Sequence, residues 1–426
     1  MPTPAASEAL AIPTPTLSAP ALPLLRETTI DVVRGFALLG ILAMNIIAFA
    51  YPASSYEHPT TEGSEPYIGP FTGANLAAWW ATHVLADLKM MALFSMLFGA
   101  GVVLMARSRP EGFAGVYYRR LAFLGAVGFV HAFGIWFGDI LLSYAIAGLL
   151  LYPVRKFSAR ALIMAGVAVL LFGIGLSLGA GRLISMMPQE QRATMIPTPE
   201  MYAEMVREVR SGGVGSLIYN ATMAISAQIM GLVFWTYWRA LGLMLLGMGL
   251  MKTGFFSGLW PKRAYAVTAL LGYGLGLGLI IPIGIALVRD GHEHLAFFSI
   301  RGQANYIGSV GVALAHASVL ILLIRSGMVR ALTARLAAVG HMAFTNYLAT
   351  SLMMTFCFYG WGLGLFATFQ RAEVYWFVIG AWTLILLWSP LWLARFRMGP
   401  MEWLWRSFTH LSWQPFRVTP AASRPA

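Results

Sequence analysis

The sequence predicts an all-α protein, a polytopic transmembrane helix bundle of about ten spans with both termini cytoplasmic. Three observations carry that expectation: too little charge for a water-soluble fold, ten apolar stretches of spanning length, and a sorting of basic residues between alternate loops. Of 426 residues, 58% are hydrophobic and 11% charged, and the mean hydropathy is +0.70; soluble domains carry roughly a quarter charged residues. The excess of 29 Lys and Arg over 17 Asp and Glu would suggest nucleic acid in a soluble chain. In this chain it reports bilayer sidedness, and no nucleic-acid partner is expected. The single cysteine, Cys357, excludes a disulfide framework and a multi-cysteine zinc site.

A spanning helix needs about 20 mostly apolar residues, because about 30 Å of hydrocarbon is crossed at about 1.5 Å per residue. In chain order the stretches 33–51, 86–106, 119–136, 138–154, 161–181, 235–252, 264–287, 304–324, 338–358 and 374–394 qualify. The stretch 216–234 reads either as an extra helix or as a lead-in to the sixth span. With the N-terminus inside, nineteen of the 29 basic residues fall in inner loops, while the first outer loop holds only the acids Glu57, Glu62 and Glu65. This bias predicts a multi-pass protein of the inner (plasma) membrane.

The domain plan is a disordered cytoplasmic tail at 1–26, a transmembrane domain at 27–406 and a second cytoplasmic tail at 407–426. The apolar stretch after the first tail is too long for a signal-peptide core. The longest outer segment, about 182–217, is expected to form a short helix at 200–210 with an exposed charged face, and reads as a solvated connector in preference to a lid. No internal repeat is visible.

Ionisable side chains inside spans cost several kcal/mol unless they face a polar interior, so each is a functional candidate. Depth arithmetic puts Asn45, His131 and Asn346 roughly 12 to 18 Å from the inner face, in one midplane layer; the alternative for each is a hydrogen bond that glues helices together. A turn at Gly138 brings Asp139 near His131, where it either orients the imidazole or caps the fourth helix. At the inner boundary Asp31 suits an N-cap. Arg34, Arg119 and Arg120 make either a cationic mouth for phosphate groups or ordinary positive-inside anchors. Lys89 either snorkels outward or pairs inside the bundle, and Arg239, after Trp235 and Trp238, reads as an aromatic-belt anchor. His316 and His341 read as core or boundary histidines. His292 and His294 stand two apart and do not share a helix face, so no metal site is expected.

Taken together, Asp31-Val-Val-Arg34-Gly35 through Asn45, Lys89 to Gly101, His131 to Asp139 with Tyr144, Gly340 to Tyr347, Phe358 to Gly364 and Gly399 to Arg406 resemble the YeiB-type membrane proteins, domain-of-unknown-function family 418. The resemblance covers about residues 27–406, with a C-terminal family region at about 235–406. That family is in turn similar to transmembrane acyltransferases, including the heparan-glucosaminide acetyltransferase and the acyltransferase-three enzymes, through Asp31, Arg34, Gly35 and Asn45. The resemblance implies a bundle that passes an acyl, in first place acetyl, group from cytoplasmic acyl-CoA to an acceptor hydroxyl or amine at the outer face. The heparan enzyme carries a catalytic histidine in its first outer loop, where this chain offers His58, so the base is His58 or His131, with His131 preferred.

On this reading the catalytic set is His131, Asn45 and Asp139, with Asn45 donating to the developing oxyanion. Substrate is contacted by Arg34, Arg119, Arg120, Lys89, Tyr144, Asn346 and Tyr347. The partners are the bilayer, acyl-CoA as donor substrate and a small-molecule or glycan acceptor, with a homodimer left open and no metal or haem expected. The competing expectation is a small-molecule transporter using the same residues; a haem protein would need His131 paired with His316 or His341.

Overall fold

The computed structural model describes residues 21–60, 63–108, 113–290 and 298–418. The tails at 1–20 and 419–426, Arg109 and the His292–His294 pair lie outside them. The described chain is all helix apart from one isolated bridge, Phe396 to Arg417. In order the helices are α1 (Ala21–Ala50), α2 (Ser54–Glu57), α3 (Glu65–Ile68), α4 (Gly73–Leu85), α5 (Lys89–Ser108), α6 (Phe113–Gly134), α7 (Leu141–Gly148), α8 (Leu151–Val154), α9 (Ala159–Ser185) and α10 (Gln189–Ala193). They continue with α11 (Pro199–Ser211), α12 (Gly213–Phe234), α13 (Thr236–Thr253), α14 (Lys262–Asp290), α15 (Gln303–Ser326), α16 (Arg330–His341), α17 (Ala343–Phe358), α18 (Tyr375–Leu393) and α19 (Pro400–His410).

Seven segments among the described residues are long and apolar enough to cross a bilayer: Thr28–Ala50, Gly73–Ser108, Ala159–Ser185, Gly213–Phe234, Lys262–Asp290, Gln303–Ser326 and Tyr375–Leu393. That is fewer than the ten expected: the third, fourth, sixth and ninth expected spans are missing, and Gly213–Phe234 is added. The third, α6, carries Arg119 and Arg120 in its length, and the fourth breaks into α7 and the single turn α8. The sixth, α13, is only 18 residues long and carries Arg239 and Lys252 within it; the ninth splits at Met342 into α16 and α17. Much of this material is interior. Helix α13 is buried along most of its length, whereas only 17% of the apolar window in α14 is buried. A helix enclosed by protein need not be apolar on every side, so hydropathy misjudges it. The stretch 216–234 is a helix in its own right, ended at Trp235 by backbone angles of −141° and −79°.

Loops expected on the inner side bond to one another: Lys252 Nζ donates to the Arg155 carbonyl at 2.8 Å, Arg325 to that of Trp260 at 2.6 Å, and Arg119 to that of Thr409 at 2.8 Å. Loops expected outside do the same. The segment read as a solvated connector is docked, because α11 buries Tyr202, Val206 and Val209. Ser55 Oγ lies 2.7 Å from the Tyr202 hydroxyl, and Arg210 donates to the Phe366 and Ala367 carbonyls at 2.6 and 2.8 Å. The bundle therefore has a basic end and an opposite, capped end. The stretch expected as a second tail begins within α19 and is packed as far as residue 418. Residues 411–418 fold back so that the Arg397 amide meets the Phe416 carbonyl at 2.9 Å and Trp413 stacks on Trp403.

Two local features shape the interior. Helices α1 and α16 cross with their backbones almost touching, at Gly35 and Gly340. A Cβ on Gly35 would overlap the Leu336 carbonyl oxygen, and one on Gly340 the Asp31 carbonyl oxygen. Asp31 is not an N-cap, because α1 begins at Ala21; its carboxylate accepts from Arg34 at 2.8 Å. The second feature is the break between α4 and α5, where Leu88 takes φ of 61°. Carbonyls at the break need partners away from water. Lys89 Nζ donates to His83 O at 2.5 Å, His316 Nε2 to Leu85 O at 3.0 Å and Arg239 Nη2 to Leu88 O at 3.4 Å. Lys89 and Arg239 are both 0% exposed. Lys89 therefore does not snorkel, and Arg239 is not a belt anchor: α15 supplies Asn305 to Lys89 at 2.5 Å, and Tyr306 O and Ser309 Oγ to Arg239 at 2.9 and 2.6 Å.

Candidate functional site

Helix α6 carries a stripe at helical spacing: Phe113, Val116, Tyr117, Arg120, Leu121 and Leu124. These residues form one wall of a cavity of about 740 Å³ that enters the bundle from its basic end. The facing walls include Arg34 of α1, Phe94, Leu97 and Phe98 of α5, Phe344 and Tyr347 of α17, and Trp405 and Arg406 of α19. The bore is apolar and its rim is charged.

At the rim Arg120 is near enough to both Arg34 and Arg406 for their charges to repel it. Arg34 is paired with Asp31, and Arg120 lies 3.8 Å over the Trp405 ring. Glu402 is engaged elsewhere: its carboxylate accepts from the Phe344 and Thr345 amides at 2.7 and 3.2 Å, closing the start of α17 where the helix dipole favours an anion. His341 adds a further positive group. Its Nδ1 lies 3.4 Å from the Asp31 carboxylate and its Nε2 3.1 Å from the Arg397 carbonyl. Both partners can only accept, so both ring nitrogens carry hydrogen, and the bond to Asp31 holds the imidazole above the ordinary histidine value. The rim is thus net positive and suited to phosphate oxygens.

The inner end is closed by Leu141, Tyr144 and Tyr347. The α6 stripe continues past it through Gly128 to His131. A Cβ on Gly128 would lie 2.5 Å from the Leu142 nitrogen and 2.9 Å from the Leu141 carbonyl carbon, so only glycine lets the start of α7 cross there. That crossing sets Asp139 against His131, with Nδ1 2.8 Å from Oδ2 and both side chains 0% exposed. Asp139 Oδ1 also accepts the Leu142 amide at 2.8 Å, so one carboxylate both orients the ring and caps α7. A carboxylate only accepts, which places the hydrogen on Nδ1. The opposite nitrogen, Nε2, is buried without a protein partner. The Tyr347 ring stands 5.2 Å from the imidazole and Trp136 6.4 Å away, edge-on.

Arg34, Arg120, Tyr144 and Tyr347 line the cavity, and His131 and Asp139 lie one layer behind its inner end. The remaining candidates lie elsewhere. Asn45 is half-buried and outside the cavity wall. Asn346 is taken up by the Val339 carbonyl, Ser389 and Trp388, a helix-to-helix fastening, so the three-residue midplane layer does not exist as one site. Arg119 faces α19, and Lys89 belongs to the α4–α5 break. His58 is buried after α2, on the segment that joins the capped end, and His316 is held by Tyr273 and Leu85. Sequence reasoning missed Arg406, His341 and His410 at the rim. The available signal was α19 itself, an amphipathic helix on which Glu402, Trp405, Arg406 and Thr409 recur at helical spacing.

The profile of a family described as "Protein of unknown function (DUF418)" matches residues 250–412. The chain is 33% identical over 399 residues to the uncharacterized protein YeiB of Escherichia coli (strain K12), covering 90% of this chain and 96% of YeiB. It is 31% identical over 410 residues to the uncharacterized protein YxaH of Bacillus subtilis (strain 168), covering 92% and 96%. An uncharacterized 39.9 kDa protein from an amylase 3′ region of Bacillus acidopullulyticus is 24% identical over 388 residues, covering 90% and 94%. No solved structure matches the chain.

Proposed function

The chain belongs to the DUF418 family together with YeiB, and from that premise we propose that it is a membrane-embedded acyltransferase. In this reading the basic end faces the cytoplasm of the inner membrane and admits acyl-CoA, and the acyl group passes to a hydroxyl or amine arriving from the capped end. One observation carries it: a cavity leads from an arginine rim to a tyrosine floor, with a buried His–Asp pair one layer behind it.

The dimensions fit. Arg120 and His131 lie eleven residues apart on α6, about 16 Å and three turns, hence on one face. A pantetheine arm of about 13 bonds, extended at about 1.2 Å per bond, spans about 15 Å between diphosphate and sulfur. Arg34, Arg120 and Arg406 would hold phosphates while the thioester rests at the tyrosine floor. His131, oriented through Nδ1 by Asp139, presents Nε2 as the general base for the acceptor. The chemistry requires no redox change.

Thermal unfolding of the purified protein, titrated with acetyl-CoA and CoA to millimolar concentration, tests the donor. Stabilisation by about 2.7 kcal/mol is expected at one hundred times Kd. Arg34→Ala should weaken it, and His131→Ala should retain binding and lose transfer. No stabilisation at any concentration would remove the acyl-CoA reading. The break between α4 and α5 is a feature also found at transporter sites, so substrate counterflow in proteoliposomes lacking acyl donor is the outcome that would favour transport instead.

A further inference from the structure

We propose that the Tyr347 hydroxyl, and not the Asn45 amide, is the donor that holds the acyl carbonyl oxygen as negative charge develops on it. This rests on the acyl-transfer reading and assigns a catalytic role within it. Two tyrosines close the inner end of the cavity, and they differ in what their hydroxyls do. Tyr144 is engaged, 2.5 Å from Ser95 Oγ and 3.5 Å from the Met91 carbonyl. The Tyr347 hydroxyl is buried and has no hydrogen-bond partner. The backbone polar group facing it is the Ile140 amide, which can only donate, so the phenolic hydrogen is left for a ligand.

A buried hydroxyl without a partner carries a desolvation cost of about 1–3 kcal/mol. A second such atom is His131 Nε2, on a ring whose centre lies 5.2 Å from that of Tyr347. One is a donor and the other an acceptor. A tetrahedral acyl intermediate needs that pair at its centre: a donor for the oxyanion and a base for the incoming nucleophile. Asn45 lines no part of the cavity.

In the transfer step the acceptor oxygen or nitrogen forms a bond to the thioester carbonyl carbon while its proton moves to His131 Nε2. The carbonyl π electrons collect on oxygen, where Tyr347 donates. Collapse reforms the carbonyl, breaks the C–S bond, and the leaving thiolate takes the proton back from Nε2. Nothing is oxidised or reduced.

The test is Tyr347→Phe in lipid nanodiscs, with acetyl-CoA as donor and glucosamine, which offers an amine and hydroxyls, as acceptor probe. Release of CoA thiol is followed beside thermal unfolding. The expected result is a kcat lower by about 10²–10³-fold with KM for acetyl-CoA within about threefold and no loss of thermal stability, since the removed hydroxyl has no partner to lose. Tyr265→Phe, outside the cavity, should do the reverse, losing stability with its 2.6 Å bond to the Phe255 carbonyl and keeping most of kcat. Retention of more than half of kcat by Tyr347→Phe, or a marked fall in its unfolding temperature, would overturn the assignment. Failure of the wild type to release CoA thiol would instead remove the acyl-transfer reading, and this inference with it.

Discussion

Replacing Lys89 by methionine is the sharpest test of the fold, because it separates a paired interior cation from a snorkelling one. The side chains have similar length, so the change removes charge and hydrogen bonds with little change in volume. It would leave His83 O and Asn305 Oδ1 without their donor, and Asp87, bonded to Asn305 at 2.6 Å, with Arg239 but without its nearer lysine partner. Two orphaned acceptors at about 1–3 kcal/mol each give about 2–6 kcal/mol. Partners found by the unfolded chain within the membrane reduce that, so about 3 kcal/mol is expected. Reversible unfolding in mixed detergent micelles, read by tryptophan fluorescence, measures it. Adding Asn305→Leu closes a double-mutant cycle in which a coupling of about 1–2 kcal/mol should appear. A snorkelling lysine would give the opposite sign, since methionine is the better membrane residue. A variant as stable as the wild type, with additive cycle energies, would refute the account of the α4–α5 break.

Two further outcomes are expected from the geometry. Gly35→Ala drives a methyl into the Leu336 carbonyl and should destabilise by more than about 2 kcal/mol. Gly101→Ala, where nothing lies within 4 Å of the new atom, should be neutral or stabilising by up to about 1 kcal/mol through helix propensity; equal effects from the two would contradict the α1–α16 crossing. His341 is held above its ordinary value by Asp31, so its protonated ring stabilises the folded state. That contribution is fully present below the unfolded-state value of about 6.5 and is lost as pH rises through the higher folded-state value. The unfolding temperature should therefore decline above about pH 6.5 in the wild type and less so in His341→Gln; parallel profiles would show that the Asp31 contact is not formed.

Much of the bundle was legible because lipid-facing helices such as α14 must be apolar for their whole length. Interior helices escape that constraint. Helix α13 tolerates Arg239 because α15 brings Tyr306 and Ser309 to it, and a partner almost seventy residues away leaves no local trace. The candidate site shows the same division. Arg120 at the inner boundary and His131 at mid-depth were each readable as candidates, and α6 carries both. Depth alone grouped Asn45 and Asn346 with His131, but depth carries no rotation about the helix axis. One position decides the matter on α17: Asn346 turns to Ser389 and Trp388, while Tyr347, about 100° further round, turns to the cavity. The rim residue Arg406 was unreadable as a site because it comes after the last span and looks like any cytoplasmic anchor.

The rim has a consequence for how the protein is made. Its walls come from both extremes of the chain, Asp31 and Arg34 near the start and Trp405, Arg406 and His410 near the end. Helix α19 is fastened by Arg119 to Thr409 and by Trp405 to the Arg120 carbonyl. Synthesis therefore lays down the two sides of the rim far apart in time, and the wall is complete only once α19 has packed on α6. A variant truncated before Pro400 would keep its apolar helices and lack the Trp405 and Arg406 side of the rim.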